Sequence, residues 1–164
     1  MSNSLDYEFM RSAYQQAKRA YEEGEVPIGA VIVHEGCIIA EAYNQTEQTQ
    51  NPLAHAELLA IQEASRILHT RRLTDCTLYI TLEPCAMCAG AILLSRIPRI
   101  VFACHEPKSG AVLSLFTLLT DERLNHQCIV HSGVMEKECS SLLSSFFLEL
   151  RNGTIARSID RNRK

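Results

Sequence analysis

The stretch Thr81-Leu82-Glu83-Pro84-Cys85-Ala86-Met87-Cys88 constrains this 164-residue chain more than any other. A β-like run, Thr77 to Thr81, leads into it, and an apolar helical pattern, Ala89 to Leu94, leaves it. Pro84 suits a helix start, because its missing N–H would have no intrahelical partner there. Cys85 and Cys88, three apart on a first turn, can aim both sulfurs at one point. The positive end of the helix favours thiolates at that place. These are the requirements for two metal-bound thiolates. On its own a C-x-x-C pair also fits a redox centre or half of a structural zinc knuckle. The pattern here has neither an aromatic residue before Cys85 nor Gly-Pro between the cysteines, as a thioredoxin-like motif would. No second C-x-x-C completes a knuckle.

Two thiolates do not close a zinc site. Upstream stands His55-Ala56-Glu57, preceded by Asn51-Pro52, and the proline marks a break before a helix expected to run to about Leu68. His55 at that helix start supplies a third ligand as neutral imidazole. Three protein ligands leave one tetrahedral position for water, the arrangement of a catalytic zinc. Glu57 is then the base beside that water and is not needed as a ligand.

H-x-E followed by P-C-x-x-C resembles the signature of the zinc nucleobase deaminases. From about Asp6 to Arg151 the chain is similar to the bacterial tRNA adenosine deaminases. The resemblance implies one Zn²⁺ per subunit, a homodimer, and deamination of the wobble adenosine in an anticodon, in bacteria that of an arginine tRNA. It implies substrate contacts at Ile28, Asn44, Glu106, Lys108 and Phe147. His105 to Gly110 is similar to the family's Asp-Ala-Lys-Thr-Gly segment, with Glu106 in place of the aspartate. Leu113 replaces the family's glycine before Ser114.

Periodicity supplies the frame. Phe9, Met10, Ala13, Tyr14, Ala17, Ala20 and Tyr21 predict an amphipathic helix from Asp6 to Glu23, with Asp6 as N-cap and Gly24 as stop. Val31 to Val33 and Cys37 to Tyr43 read as a hairpin around Glu35-Gly36. Gly29 permits close backbone approach, at a pocket or at a strand start. Asn44 to Leu53 reads as a loop at the mouth of the site. Cys76 to Thr81, Arg99 to Ala103 and Ile129 to His131 read as strands. The apolar run Ala111 to Leu119 is expected to be a helix buried on two sides, hence a subunit interface. The last helix is expected over 136–151. The order α-β-β-α-β-α-β-α-β-α implies an α/β fold with a mixed five-strand sheet and helices on both faces. This matches the three-layer cytidine-deaminase-like fold that the resemblance implies.

A chain of this length fits one domain, with a core over about 6–151 and a basic tail over 152–164. No apolar run approaches the roughly 20 residues that span a bilayer, and Met1 to Asp6 lack the pattern of a secretory signal. Seven scattered cysteines, an odd count, fit a reducing, cytoplasmic compartment. The net charge of −3 means that RNA contact requires a local basic patch. Arg151, Arg157, Arg161, Arg163 and Lys164 offer one; from Arg157 onward a solvated terminus is the equal alternative. Three other functions fit part of the pattern: a deaminase of free guanine or cytosine, a noncatalytic zinc scaffold that binds RNA, and a thiol redox protein. Intact Glu57 argues against the scaffold.

Overall fold

The computed structural model describes residues 4–155 of the chain. Arg157, Arg161, Arg163 and Lys164 lie outside the described residues. Helix α1 (Ser4–Glu22) is followed by β1 (Gly29–His34) and β2 (Cys37–Tyr43), then by a one-turn helix α2 (Thr46–Thr49). Next come α3 (Ala56–Leu68), β3 (Cys76–Leu82), α4 (Ala86–Leu94), β4 (Arg99–Cys104), β5 (Ile129–Ser132) and α5 (Glu136–Arg151). The sheet order is β2-β1-β3-β4-β5. β1 pairs antiparallel with β2 and β3, whereas β3, β4 and β5 run parallel. The mixed five-strand sheet is the one expected.

Alternation along the strands divides the core between the sheet's two faces. Ala30, Ile32, Leu78, Ile80, Ile100 and Phe102 face the α3–α4 side, where Ala56, Ala60 and Ala64 let α3 approach closely. Val31, Val33, Tyr79, Val101 and Ala103 face the opposite side, with Met10 and Ala13 of α1 and Cys139 of α5. The β1–β2 turn takes positive φ at Glu35 and Gly36, as a two-residue hairpin of type I′ requires.

Three expectations need correction, and at Gly29, where β1 starts, one of two open alternatives holds. Asp6 is not an N-cap: it lies within α1, is buried, and accepts hydrogen bonds from Arg99 and from the Tyr79 hydroxyl. Cys85 is not inside α4 but is its extended N-cap residue, which moves Pro84 ahead of the helix; Cys88 does sit in the first turn. The close approach at Gly29 is to a helix rather than a pocket, since a Cβ there would collide with the Ala13 carbonyl and Ala17 N of α1. No helix forms over 111–119; only Leu118–Thr120 makes a 3₁₀ turn. The backbone N–H groups of Val112, Leu113 and Ser114 donate to the Glu83 carboxylate, so they do not build an i→i−4 ladder.

Candidate active site

The parallel strands β3 and β4 end side by side, and the site lies beyond their carboxyl ends, where open α/β sheets bind ligands. The chain leaving β3 passes Glu83 and Pro84 to reach Cys85. The chain leaving β4 turns through His105 and Glu106. Across from them, β2 runs into Asn44, and α3 begins at His55, its N-cap residue.

His55 Nδ1 lies 3.4 Å from Cys88 Sγ and 3.8 Å from Cys85 Sγ. The donor atoms of the three residues all fall within 4.8 Å of one another. The neighbouring Cys88 and the His55 imidazole hold the Cys85 thiol down at about 4, whereas Cys85 and burial push Cys88 up. A divalent cation bound between the two sulfurs would favour both as thiolates. Beside the cluster, Glu57 is buried, and its Oε2 has no hydrogen-bond partner. Burial pushes its carboxyl up to about 7. Two thiols, one imidazole and an unpartnered carboxylate oxygen fit a zinc ion with three protein ligands and an open position.

A cavity of about 750 Å³ opens over this cluster. It is bordered by His55 and by all five expected substrate residues, Ile28, Asn44, Glu106, Lys108 and Phe147. Asn44 is buried, and its Oδ1 accepts the Ala56 N–H at 2.9 Å. That bond fixes the amide orientation, because a backbone N–H requires the oxygen, and it directs the NH₂ donor elsewhere. Glu106 Oε1 accepts the Lys108 N–H at 2.9 Å, which closes a tight turn under the lysine. Phe146 is buried while Phe147 is 40% exposed and faces the cavity. Arg151, at the end of α5, adds a cation to Lys108 at the rim.

Two carboxylates that the sequence reading left unassigned support this cavity. Glu83 accepts the backbone N–H groups of Glu106, Val112, Leu113 and Ser114, and the Ser114 hydroxyl. Burial alone would raise its carboxyl, but these donors hold it at about 2. Glu25, fully buried, accepts the N–H groups of Glu47 and Gln48 at 3.1 and 2.7 Å and the Thr46 hydroxyl at 3.3 Å. For Glu83 the signal is in the sequence, an acidic residue at the end of an apolar strand where a charge needs a partner; Glu25, after Glu22-Glu23-Gly24, carries no such signal.

The model of the cytidine and deoxycytidylate deaminase zinc-binding region matches residues 3–104. A tRNA-specific adenosine deaminase of Bacillus subtilis (strain 168) is 54% identical over 143 residues, covering 87% of this chain and 89% of that protein. Another of Aquifex aeolicus (strain VF5) is 50% identical over 147 residues, covering 90% and 97%. A solved structure from work on A-to-I editing by tRNA:A34 deaminases at the wobble position is 41% identical with a TM-score of 0.80. It covers 83% of this chain and 99% of that one.

Proposed function

The chain belongs to the tRNA-specific adenosine deaminases of the cytidine and deoxycytidylate deaminase family, and on that premise we propose how its cavity works and which tRNA it serves. The enzyme deaminates adenosine to inosine at the wobble position of a tRNA anticodon and releases ammonia. The observation that carries the assignment of residues is the buried, unpartnered Glu57 Oε2 beside His55, Cys85 and Cys88.

His55, Cys85 and Cys88 would hold the zinc. When bound, zinc supplies the Lewis acidity that makes water a nucleophile at neutral pH. Glu57 takes a proton from the attacking water and delivers it to purine N1 as oxygen bonds to C6. It then takes the remaining proton from the C6 hydroxyl and passes it to the exocyclic amine, so that the C6 carbonyl forms as the C–N bond breaks and ammonia leaves. One carboxylate serves as base and acid in turn, which suits a group that burial raises toward neutrality. Asn44 directs its NH₂ to an acceptor on the base edge, and Ile28 packs against the ring.

The base must leave its stack to enter, and an anticodon loop offers splayed bases at low cost. Phe147 provides a stacking face at the mouth. Lys108 and Arg151 provide local positive charge despite the net −3 of the chain. We assign an arginine tRNA as substrate, a single deaminase domain acting in the cytoplasm, and a homodimer as the working form.

The deciding experiment is deamination of an arginine-tRNA anticodon stem-loop alongside other stem-loops carrying a wobble adenosine, free guanine and free cytosine. Inosine at the wobble position of the arginine stem-loop alone supports the full assignment. Turnover of a free base with none on any stem-loop overturns the RNA substrate and keeps the zinc chemistry.

A further inference from the structure

The two lips of the cavity are the one-turn helix α2 and the irregular chain after β4, and each is held by one buried carboxylate. On one side Glu25 grips the start of α2 through Thr46, Glu47 and Gln48. On the other, Glu83 grips Glu106 and 112–114. Neither carboxylate borders the cavity. Both are buried, at 0% and 3% exposure, and both accept mainly from backbone N–H groups. Room for the second grip is reserved at Gly110, where a Cβ would collide with Glu83 Oε2 and the Glu106 carbonyl.

We propose that Glu25 and Glu83 are positioning residues that hold the two lips in their substrate-binding shape, and so set the affinity for the RNA loop. The inference rests on the deaminase reading above. Asn44, His55 and Glu57 are anchored separately: Asn44 is fixed by Ala56 N–H, and His55 and Glu57 ride on α3. Cys85 follows Glu83 by two residues, so zinc content reports whether that grip also serves the metal. Loosening a lip therefore weakens binding, because the loop must be ordered again when RNA arrives, and leaves the reacting groups in place.

Glu→Gln is the sharpest change. It keeps the volume, removes the charge and turns an NH₂ donor toward N–H donors, so no rearrangement restores every bond. Steady-state deamination of the stem-loop is measured for the wild type, E25Q and E83Q, with zinc content and melting temperature alongside. The expected result is KM raised about tenfold or more in each variant, with kcat within about threefold and zinc stoichiometric. Ser114→Ala removes only the hydroxyl donor to Glu83 from an exposed position. It is expected to raise KM severalfold at an unchanged melting temperature, and it decides the Glu83 arm if E83Q does not fold. Thr46→Ser with Thr46→Val does the same for Glu25: Ser keeps the hydroxyl donor and wild-type KM, while Val raises it. Wild-type KM in folded E25Q or E83Q, or a fall in kcat with loss of zinc, overturns the proposal. An inactive wild type would instead overturn the deaminase reading itself.

Discussion

Asn44 Oδ1 accepts the backbone N–H of Ala56 at 2.9 Å, which ties the end of β2 to the first turn of the helix that carries His55 and Glu57. One side chain thus satisfies an orphan donor of α3 with its oxygen and leaves its nitrogen for the substrate contact proposed above. Asn44→Asp preserves the acceptor at the positive end of α3 and removes the donor. That variant should keep its fold and zinc yet lose deamination by a hundredfold or more, on the order of one charged-site hydrogen bond and the repulsion that replaces it. Asn44→Ala should lose activity and also roughly 1–2 kcal/mol of stability. Thermal melts beside single-turnover inosine formation check both; near-wild-type turnover by Asn44→Asp would remove Asn44 from substrate recognition.

Metal binding and proton transfer separate cleanly in this site. Glu57 is not among the clustered ligands, so Glu57→Gln should purify with full zinc and an unchanged fold while turnover falls by about 10²–10⁴-fold. Cys88→Ala removes a buried sulfur of the cluster and should lose the metal. Metal analysis after dialysis distinguishes the two. Full zinc in Cys88→Ala would contradict the ligand set, and substantial turnover by Glu57→Gln would contradict the base.

Adjacent residues in α5 should fail in opposite ways. Phe146 is 1% exposed and packs edge-on against Tyr21, so Phe146→Ala should cost about 3–5 kcal/mol in urea denaturation. Phe147 borders the cavity, so Phe147→Ala should leave the urea midpoint nearly unchanged and raise KM about tenfold or more, the loss of one stacked base. A wild-type KM in Phe147→Ala would remove the stacking role.

Much of the site was legible because its ligands form two short motifs, His55-Ala56-Glu57 and Pro84-Cys85-Ala86-Met87-Cys88, each at the start of a helix with strong periodicity. Pro52 announced α3, the apolar run after Cys88 announced α4, and the ends of α3 and α5 fall where the pattern stops. Two of the errors share one physical cause, polar tethers between residues distant in sequence. Asp6 reads as an N-cap because its partner Arg99 is 93 residues away. The run 111–119 reads as a helix because nothing local shows that Glu83, some thirty residues earlier, claims its N–H groups. Hydrophobic periodicity locates buried faces, but it does not register a buried carboxylate that reorganises backbone.

The Asp6–Arg99–Tyr79 cluster predicts a particular acid limb of stability. Burial opposes the Asp6 charge, but the hydrogen bonds from Arg99 and Tyr79 outweigh it and hold the carboxyl below its ordinary 3.8. The unfolded chain therefore binds the proton more readily than the folded one. The contribution is complete above pH 3.8 and is lost as pH falls through the lower folded value. Asp6→Asn should cost about 2 kcal/mol at pH 7, and the gap to wild type should narrow below pH 3.8. Urea denaturation at pH 7 and pH 3 measures it; a gap of equal size at both pH values would show that the charge contributes nothing.

The apolar residues left over after the two cores are filled predict the assembly. Leu94, the last residue of α4, is 77% exposed, and Leu113, Leu115 and Phe116 are each about half exposed. Leu94 borders one hollow with Leu58 and Ile61 and another with Leu93 and Leu124. Apolar side chains clustered around open hollows fit a surface covered by a second copy. Because 111–119 is not a helix, its exposed leucines are not the second face of a buried rod but side chains presented by a loop, and the opposite end of α4 carries Cys88. Leu94→Glu places a charge on that surface without touching either core. Light scattering should give the wild type a mass near twice 18.4 kDa and the variant a mass near 18.4 kDa. A wild type of 18.4 kDa would overturn the homodimer.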